Sequence, residues 1–502
     1  MESTKGIILF NPRAAQHKAR IPNSILSIAA TIQGKYHYVI VDGNREKDPL
    51  SVIRAYLDTG KYAVFACTVM PGPQLKQAIP FTKYLHTHYP DLHITWGGYF
   101  ASNQASVVMA SGWVDTIVYG PGDRAFPMLM DALANNGPMH LIPNLIWRDG
   151  NGVVKNHKDE LYDQDTLPPL PYDALHSFYD MHGYLGKTVL GSKTIAYHSS
   201  VGCPFTCAFC GIVPIYNARW KGRSADVIFK DIQYLKNTFG GNAIEFHDNN
   251  FFVSEKRTAE FATLMLDQGM SWWGEGRIDT IHKYSDETLS LMRDSGCRMI
   301  FFGAETGNDA VLQLMDKGGT QTAEQIRIFA ARLKQFDIIP EYSFVLGTPG
   351  KDEEETNARI DADIAFIREI KSINPDTEII IYVYSPVPTE GSDLFKSVEA
   401  SGFHFPQHLE DWISPSWESF DLRKNPLTPW LKPYMINKIK AFETVLNGAY
   451  PTVSDIKLKR GDRRILKLLS QWRYRSSFYH FPYEIKAMQK WLRYRQPETE
   501  GF

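Results

Sequence analysis

Three cysteines, Cys203, Cys207 and Cys210, fall within eight residues, in the loop Gly202-Cys-Pro-Phe-Thr-Cys-Ala-Phe-Cys-Gly211. The chain has five cysteines in 502 residues, the others being Cys67 and Cys297. At a cysteine frequency of about 1 %, a C-x3-C-x2-C arises by chance in fewer than roughly one chain of this length in a thousand. An odd, small number with three clustered does not read as a disulfide framework; a reducing compartment fits it better. Three thiolates on one short loop can cap three irons of a four-iron, four-sulfur cubane. The fourth iron then lacks a protein ligand and is open to chelation by the amino and carboxylate groups of a small molecule. An electron passed into a sulfonium bound there breaks a C–S bond homolytically, which no side chain can do alone. The rival is structural zinc, which takes four ligands, commonly in C-x2-C pairs, and the sequence has no second pair. Cys297 is isolated in a strand-like run, and Cys67, in an apolar strand, reads as packed core.

Rigid elements must hold such a loop. In residues 1–140 apolar runs at Gly6–Phe10, Tyr38–Val41, Tyr62–Cys67, Leu92–Trp96 and Thr116–Tyr119 alternate with helical spacing. This predicts an α/β unit, a Rossmann-like doubly wound parallel sheet whose ligands sit beyond the carboxyl ends of its strands. Residues 141–190 read as an irregular linker, with Leu167-Pro-Pro-Leu-Pro171 extended. From 191 to 400 a second series has strand ends near His198, Asp248, Glu275, Phe302, Val345 and Tyr382. Six strand–helix units predict a partial (β/α)6 barrel of TIM type, with its chemistry at the C-terminal mouth. Residues 401–502 are rich in Trp and Tyr and read as a mostly helical domain.

The Cys203-x3-Cys207-x-Phe209-Cys210 loop resembles the signature of the radical S-adenosylmethionine (radical SAM) superfamily. The resemblance implies a [4Fe–4S] cluster on the three cysteines and S-adenosylmethionine on the open iron, with Phe209 at the aromatic position beside it. It extends through 191–400 in a series of strand-end motifs. Phe246-His-Asp248-Asn-Asn-Phe251 is similar to the motif that helps hold the methionine amino group. Arg277 sits where related proteins use a basic residue near the carboxylate. Gly303-Ala-Glu305-Thr-Gly307 is similar to the G-x-E-x-G element. Phe344–Gly350 and Tyr384–Gly391 resemble the fifth- and sixth-strand motifs. The site residues implied are therefore Phe209, Asp248, Arg277 and Glu305.

A Rossmann-like domain ahead of such a barrel resembles the cobalamin-binding branch of the superfamily. Thr68 and Met70 lie where that branch has a segment lining the nucleotide tail. Gly97-Gly98 matches its GG element, where a missing Cβ lets a planar base approach the backbone. Gly120 opens a turn similar to its G-E-G-E turn, with Pro121 in place of the first Glu. The branch's D-x-H-x-x-G is absent, and His17 reads as a solvent-exposed loop residue. Cobalamin is therefore expected without a histidine ligand to cobalt. A nicotinamide-type domain is disfavoured because no G-x-G-x-x-G follows the first strand. The function implied is methyl transfer to an unactivated carbon or phosphorus centre through a 5′-deoxyadenosyl radical. The alternative is a radical cyclase, oxidase or ring-rearranging enzyme of tetrapyrrole, lipid or natural-product synthesis. Either needs an external one-electron reductant of flavodoxin or ferredoxin type and a small or amphiphilic substrate.

Hydrophobic residues make up 43 %, charged ones 22 %, and the net charge is −2. That is ordinary globular composition, and nucleic acid is not an expected partner. No apolar run reaches the ~18–20 residues of a membrane span. The first residues lack the basic-then-apolar pattern of a secretory signal, so a cytoplasmic protein is expected. Residues 457–495 nevertheless carry twelve Lys/Arg against two acids. They read either as a solvated helical cap over the barrel or as a peripheral contact with an anionic membrane surface.

Overall fold

The computed structural model describes residues 6–14, 19–150, 152–315, 321–386, 393–417, 427–454, 458–492 and 494. The first sheet has seven strands: β1 (Gly6–Asn11), β2 (Tyr38–Asp42), β3 (Tyr62–Thr68), β4 (His93–Gly97), β5 (Thr116–Val118), β6 (Leu145–Asp149) and β7 (Gly152–Lys155). Their spatial order is β2-β1-β3-β4-β5-β6-β7. β1 to β5 run parallel to one another. Alternate residues of β1 enter opposite cores, Ile7 and Leu9 one, Ile8 and Phe10 the other. A strand buried on both faces has no polar alternation, which is why these strands read as continuous apolar runs.

The segment 141–190, expected to be irregular, is corrected by β6 and β7. They add to β5 as an antiparallel hairpin and extend the first sheet. Only Leu145 and Ile146 in β6 are buried and β7 is largely exposed, so no hydrophobic period marked the pair.

The second series comprises β8 (Thr194–Tyr197), β9 (Ser200–Gly202), β10 (Trp220–Gly222), β11 (Ala243–Phe246), β12 (Ser271–Gly276), β13 (Cys297–Glu305), β14 (Ile339–Leu346) and β15 (Glu378–Val383). Six of them form one parallel sheet in the order β15-β14-β13-β12-β11-β8, an open barrel with β8 and β15 at its edges. The helix Ala225–Phe239 illustrates how the outer layer forms. The Ser224 side chain caps its start, Ile228, Ile232 and Leu235 bury one face, and Gly240 ends it in the left-handed region.

The helices after the barrel, Asp393–Ala400, Pro433–Ala449, Arg460–Arg475 and Tyr483–Leu492, tie the parts together. Met435, Ile439 and Phe442 join the core that the barrel strands share. The turn Leu409–Ile413 crosses to the first domain, where Trp412 packs edge-on against Phe100 with ring centroids 5.0 Å apart.

Candidate active site

β8 runs on into β9, which pairs antiparallel with β10, so the three cysteines lie on the long tip of a ribbon. Buried polar groups fix the base of that ribbon. Asp248, beyond β11, is fully buried, and its carboxylate accepts the Ser199 N–H at 3.1 Å, the Ser199 hydroxyl at 2.9 Å and the Ser200 hydroxyl. Arg257 donates to the carbonyls of Arg223, Phe251 and Ser199 at 2.7, 3.0 and 3.3 Å. Its guanidinium also lies 5.5 Å from the Trp220 ring centroid and 4.8 Å from that of Phe251. Gly202 has φ +75°, and a Cβ there would meet the Arg219 carbonyl oxygen at 2.1 Å, so only glycine fits where the two legs meet.

The tip itself is held by Arg277. Its Nη1 donates to Cys207 Sγ at 3.1 Å, while Nε and Nη2 bond both Asp279 oxygens at 2.9 and 2.8 Å. The Phe205 ring centroid lies 3.9 Å from the guanidinium. Arg277, expected beside a carboxylate ligand, is thus placed against the cysteine loop. Burial pushes the Cys203 thiol above its ordinary range, and the Phe205 N–H and the Arg277 charge oppose that shift. The amide of Asn250, in a residue 1 % exposed, is among the groups that lower the Cys203 thiol, yet neither of its polar atoms reaches a full hydrogen bond.

The donor set suits a cubane. Among the described residues no three Cys, His, Asp or Glu side chains converge on a single-ion site, as zinc would need. A four-iron cubane holds each thiolate on its own iron, so its three ligands surround the cluster at wider spacing than the donors of a single ion. Three cysteines on one loop, one of them hydrogen-bonded by a buried cation, supply that arrangement.

Glu305 closes β13 with φ +63° and is 5 % exposed. A non-glycine residue in the left-handed region is held there by its surroundings. Asp363 accepts the Thr306 hydroxyl at 2.6 Å and the Gly307 N–H at 3.1 Å, and Gln321 donates to the Gly303 and Ala304 carbonyls at 3.0 and 3.2 Å. Phe209 packs against the cluster of Tyr384, Leu394, Val398 and Phe403 beyond β15. Residues 387–391 of the expected sixth-strand motif, and His17, lie outside the described residues.

The glycine-bearing strand ends of the first domain meet this same loop. Asn103 Nδ2 donates to the Gly211 carbonyl at 3.0 Å, and a Cβ on Gly211 would lie 2.0 Å from Tyr99 Oη. Burial, then the neighbouring Cys210, pushes the Tyr99 phenol well above its ordinary range. A Cβ on Gly120 would lie 3.4 Å from the Ile215 carbonyl oxygen. Thr68 exchanges a hydroxyl contact of 3.3 Å with Ser24, and Met70 is 48 % exposed with its N–H bonded to Gln74 at 2.8 Å. Gly97 has only the Val118 carbonyl oxygen nearby, at 3.7 Å from a built Cβ. Sequence alone missed Tyr99, Asn103, Asn250 and Arg257. Asn250 stands inside the motif after β11 and Tyr99 directly follows Gly97-Gly98, so both could have been taken with those motifs. Arg257 carries no local signal.

Glu245, Glu275 and Glu341 share one face of the barrel sheet. Trp273 Nε1 donates to Glu341 at 3.1 Å, and Glu245 pairs with Arg20 of the first domain at 2.9 Å. Burial, then the charges of Asp248 and Glu341, raises Glu275 from 4.5 to about 8. The folded state therefore keeps a proton that the unfolded chain releases, and stability is lost as pH rises from 4.5 towards 8. The loss is at most about 1.4 kcal/mol per pH unit, less what solvent in the barrel mouth screens. Glu275→Gln is expected to melt with the parent near about pH 5 and above it near about pH 9. Thermal melts across that range check this; parallel curves for the two proteins would reject it.

The profile of the radical SAM superfamily matches residues 197–361. An uncharacterized methyltransferase of Pyrococcus horikoshii is 24 % identical over 345 residues, 68 % of this chain and 72 % of that protein. An anaerobic magnesium-protoporphyrin IX monomethyl ester cyclase of Synechocystis is 25 % identical over 310 residues, 60 % of this chain and 58 % of that one. Among solved structures, the radical S-adenosylmethionine methyltransferase TsrM of Kitasatospora setae, with cobalamin and a [4Fe–4S] cluster bound, aligns over 98 % of this chain and 99 % of that one. Its TM-score is 0.65 at 14 % identity, a likeness of fold. Residues 197–361 thus form a radical SAM domain, and the chain as a whole shares the fold of that methyltransferase structure.

Proposed function

We propose that this enzyme is a cobalamin-dependent methyltransferase that modifies an unactivated carbon or phosphorus centre of a small or amphiphilic molecule. The observation that carries this is the meeting of the two domains at the cysteine loop, by the Asn103–Gly211 bond of 3.0 Å. Groups held at the strand ends of each domain would share one space. When bound, the cluster and S-adenosylmethionine supply a 5′-deoxyadenosyl radical able to remove hydrogen, and cobalamin supplies the methyl group.

The chain's own residues bind, orient and shield. Cys203, Cys207 and Cys210 hold the cluster, with Arg277 placing a cation on Cys207. Asp248 keeps the ribbon base rigid through Ser199 and Ser200. Phe209 and Glu305 are proposed to line the S-adenosylmethionine site. Thr68, Met70, Gly97, Gly98 and Gly120 are proposed to face cobalamin, without a histidine ligand to cobalt. Electrons would come from a flavodoxin- or ferredoxin-type donor in the cytoplasm.

The test is anaerobic turnover with S-adenosylmethionine carrying a labelled methyl group, under reduction, with extracts fractionated for substrate. The expected result is 5′-deoxyadenosine together with a product heavier by one methyl unit. A product with no methyl gain would favour the second reading, a radical cyclase or ring-rearranging enzyme, which the Synechocystis relative at 25 % identity supports. Absence of 5′-deoxyadenosine and of labelled product would reject the methyltransferase reading.

A further inference from the structure

The helices Arg460–Arg475 and Tyr483–Leu492 form a hairpin with two unlike faces. One face is anchored: Tyr474 and Ile485 lie in the main core, and Tyr479 packs on Phe442 with centroids 5.1 Å apart. The other face leaves large apolar side chains in water. Leu468 is 76 % exposed, Trp472 54 %, Phe481 69 %, Tyr483 68 % and Trp491 74 %. Of the sixteen large hydrophobic residues exposed among the described residues, seven lie between Ile465 and Trp491.

These side chains form one crest. Ile465, Leu468 and Trp472 share a helix face at spacings of three and four. The ring contacts continue from Trp472 to Phe478 at 6.0 Å, Phe478 to His480 at 6.3 Å, His480 to Phe481 at 6.3 Å and Phe481 to Tyr483 at 5.9 Å. Cations rim the crest: Arg460, Arg464, Arg475, Lys486 and Lys490 are all exposed. The acids of the segment do not offset them. Residues 457–495 contain only Asp462 and Glu484, and Glu484 is bound by Arg473.

We propose that this hairpin docks the enzyme on an anionic phospholipid bilayer. Lipid phosphates meet the Arg/Lys rim, and the aliphatic and indole side chains enter the interface below them. A nucleic acid would satisfy the cations and could stack on the rings, but it offers nothing to Ile465 and Leu468. The contact is peripheral, since among the described residues no helix is long and apolar enough to cross a membrane. The inference does not depend on the transfer reaction proposed above.

The test is flotation of the full-length, cluster-reconstituted protein with phosphatidylcholine vesicles containing roughly 30 % phosphatidylglycerol, beside pure phosphatidylcholine. The protein should rise with the anionic vesicles and stay below with the neutral ones, and its tryptophan emission should shift to the blue on binding. The pair Leu468→Ser and Trp472→Ser should cut binding at least about tenfold. The pair Arg464→Gln and Arg475→Gln should cut it about 25-fold at low salt, about fivefold for each cation. All four side chains are exposed, and an unchanged melting curve and iron content confirm an intact fold. A wild-type protein left in the lipid-free fraction overturns the proposal, as does flotation that the serine pair leaves unchanged. So does tight binding of a short RNA duplex lost in the glutamine pair but kept in the serine pair, which would assign the surface to nucleic acid.

Discussion

Alanine at any one of Cys203, Cys207 or Cys210 is expected to abolish S-adenosylmethionine cleavage and to strip the chain of its iron. Each cysteine is the sole protein ligand of one iron in the arrangement that the loop implies, so its loss opens a second iron to solvent. Disturbing the mere orientation of a metal ligand weakens a site about 10–100-fold, and removing the ligand itself must exceed that. The effect should be confined to the loop. Cys67 and Cys297 are buried in apolar surroundings, where burial pushes both thiols up, and neither lies on the ribbon. Cys297→Ala should keep the reconstituted iron content and lose stability by about 1 kcal/mol through a small cavity. Iron per chain after anaerobic reconstitution, together with 5′-deoxyadenosine formed under reduction, reads both. Equal iron loss in Cys297→Ala and Cys207→Ala would overturn the assignment of the cluster to the loop.

The cysteine loop was legible because its information is local: three ligands in eight residues need no partner from elsewhere in the chain. The two parallel sheets were legible for a different reason. Strands buried on both faces become unbroken apolar runs, and the helices between them carry the 3.6-residue period. What escaped depends on contacts between residues distant in sequence. The Asn103–Gly211 bond spans 108 positions, and the Trp412–Phe100 packing joins the C-terminal region to the first domain. Arg257 escaped because an arginine near a helix start reads as a solvated cation. It is instead 7 % exposed and satisfied by three carbonyls, a role that only the folded ribbon creates. Asp248 and Arg277 were singled out for ligand contacts. Their observed partners are Ser199 and Ser200 for the one, Cys207 and Asp279 for the other. Both therefore shape the loop, whatever else they touch when a ligand binds.

Gly97→Ala and Gly98→Ala should behave differently, although one dipeptide motif suggested both glycines. Gly98 has φ +90° and ψ −174°, a region essentially closed to side chains. A Cβ there would stand 3.0 Å from Thr68 Oγ1, Val69 N and Val69 O. Two of those three atoms are backbone. They are also locked, because the Val69 N–H donates to the Gly97 carbonyl at 2.9 Å and the Phe100 N–H to the Val69 carbonyl at 2.9 Å. Strain of about 1–3 kcal/mol then adds to the crowding. The Gly98→Ala protein should lose roughly 2–4 kcal/mol, or about 4–16 °C in the melting of the first domain. Tyr99, the next residue, stands against Gly211, so the displaced helix start would also loosen the contact between the domains. Gly97 has no such constraint. With its nearest neighbour at 3.7 Å, Gly97→Ala should melt within about 1 °C of the parent. If the proposed cobalamin site is right, Gly97→Ala should still retain less cobalamin after reconstitution, because the added methyl group occupies the face left open for the ligand. Iron content should stay at the parent level. Undiminished cobalamin in Gly97→Ala would remove Gly97 from the proposed site and leave Gly98 a purely structural glycine.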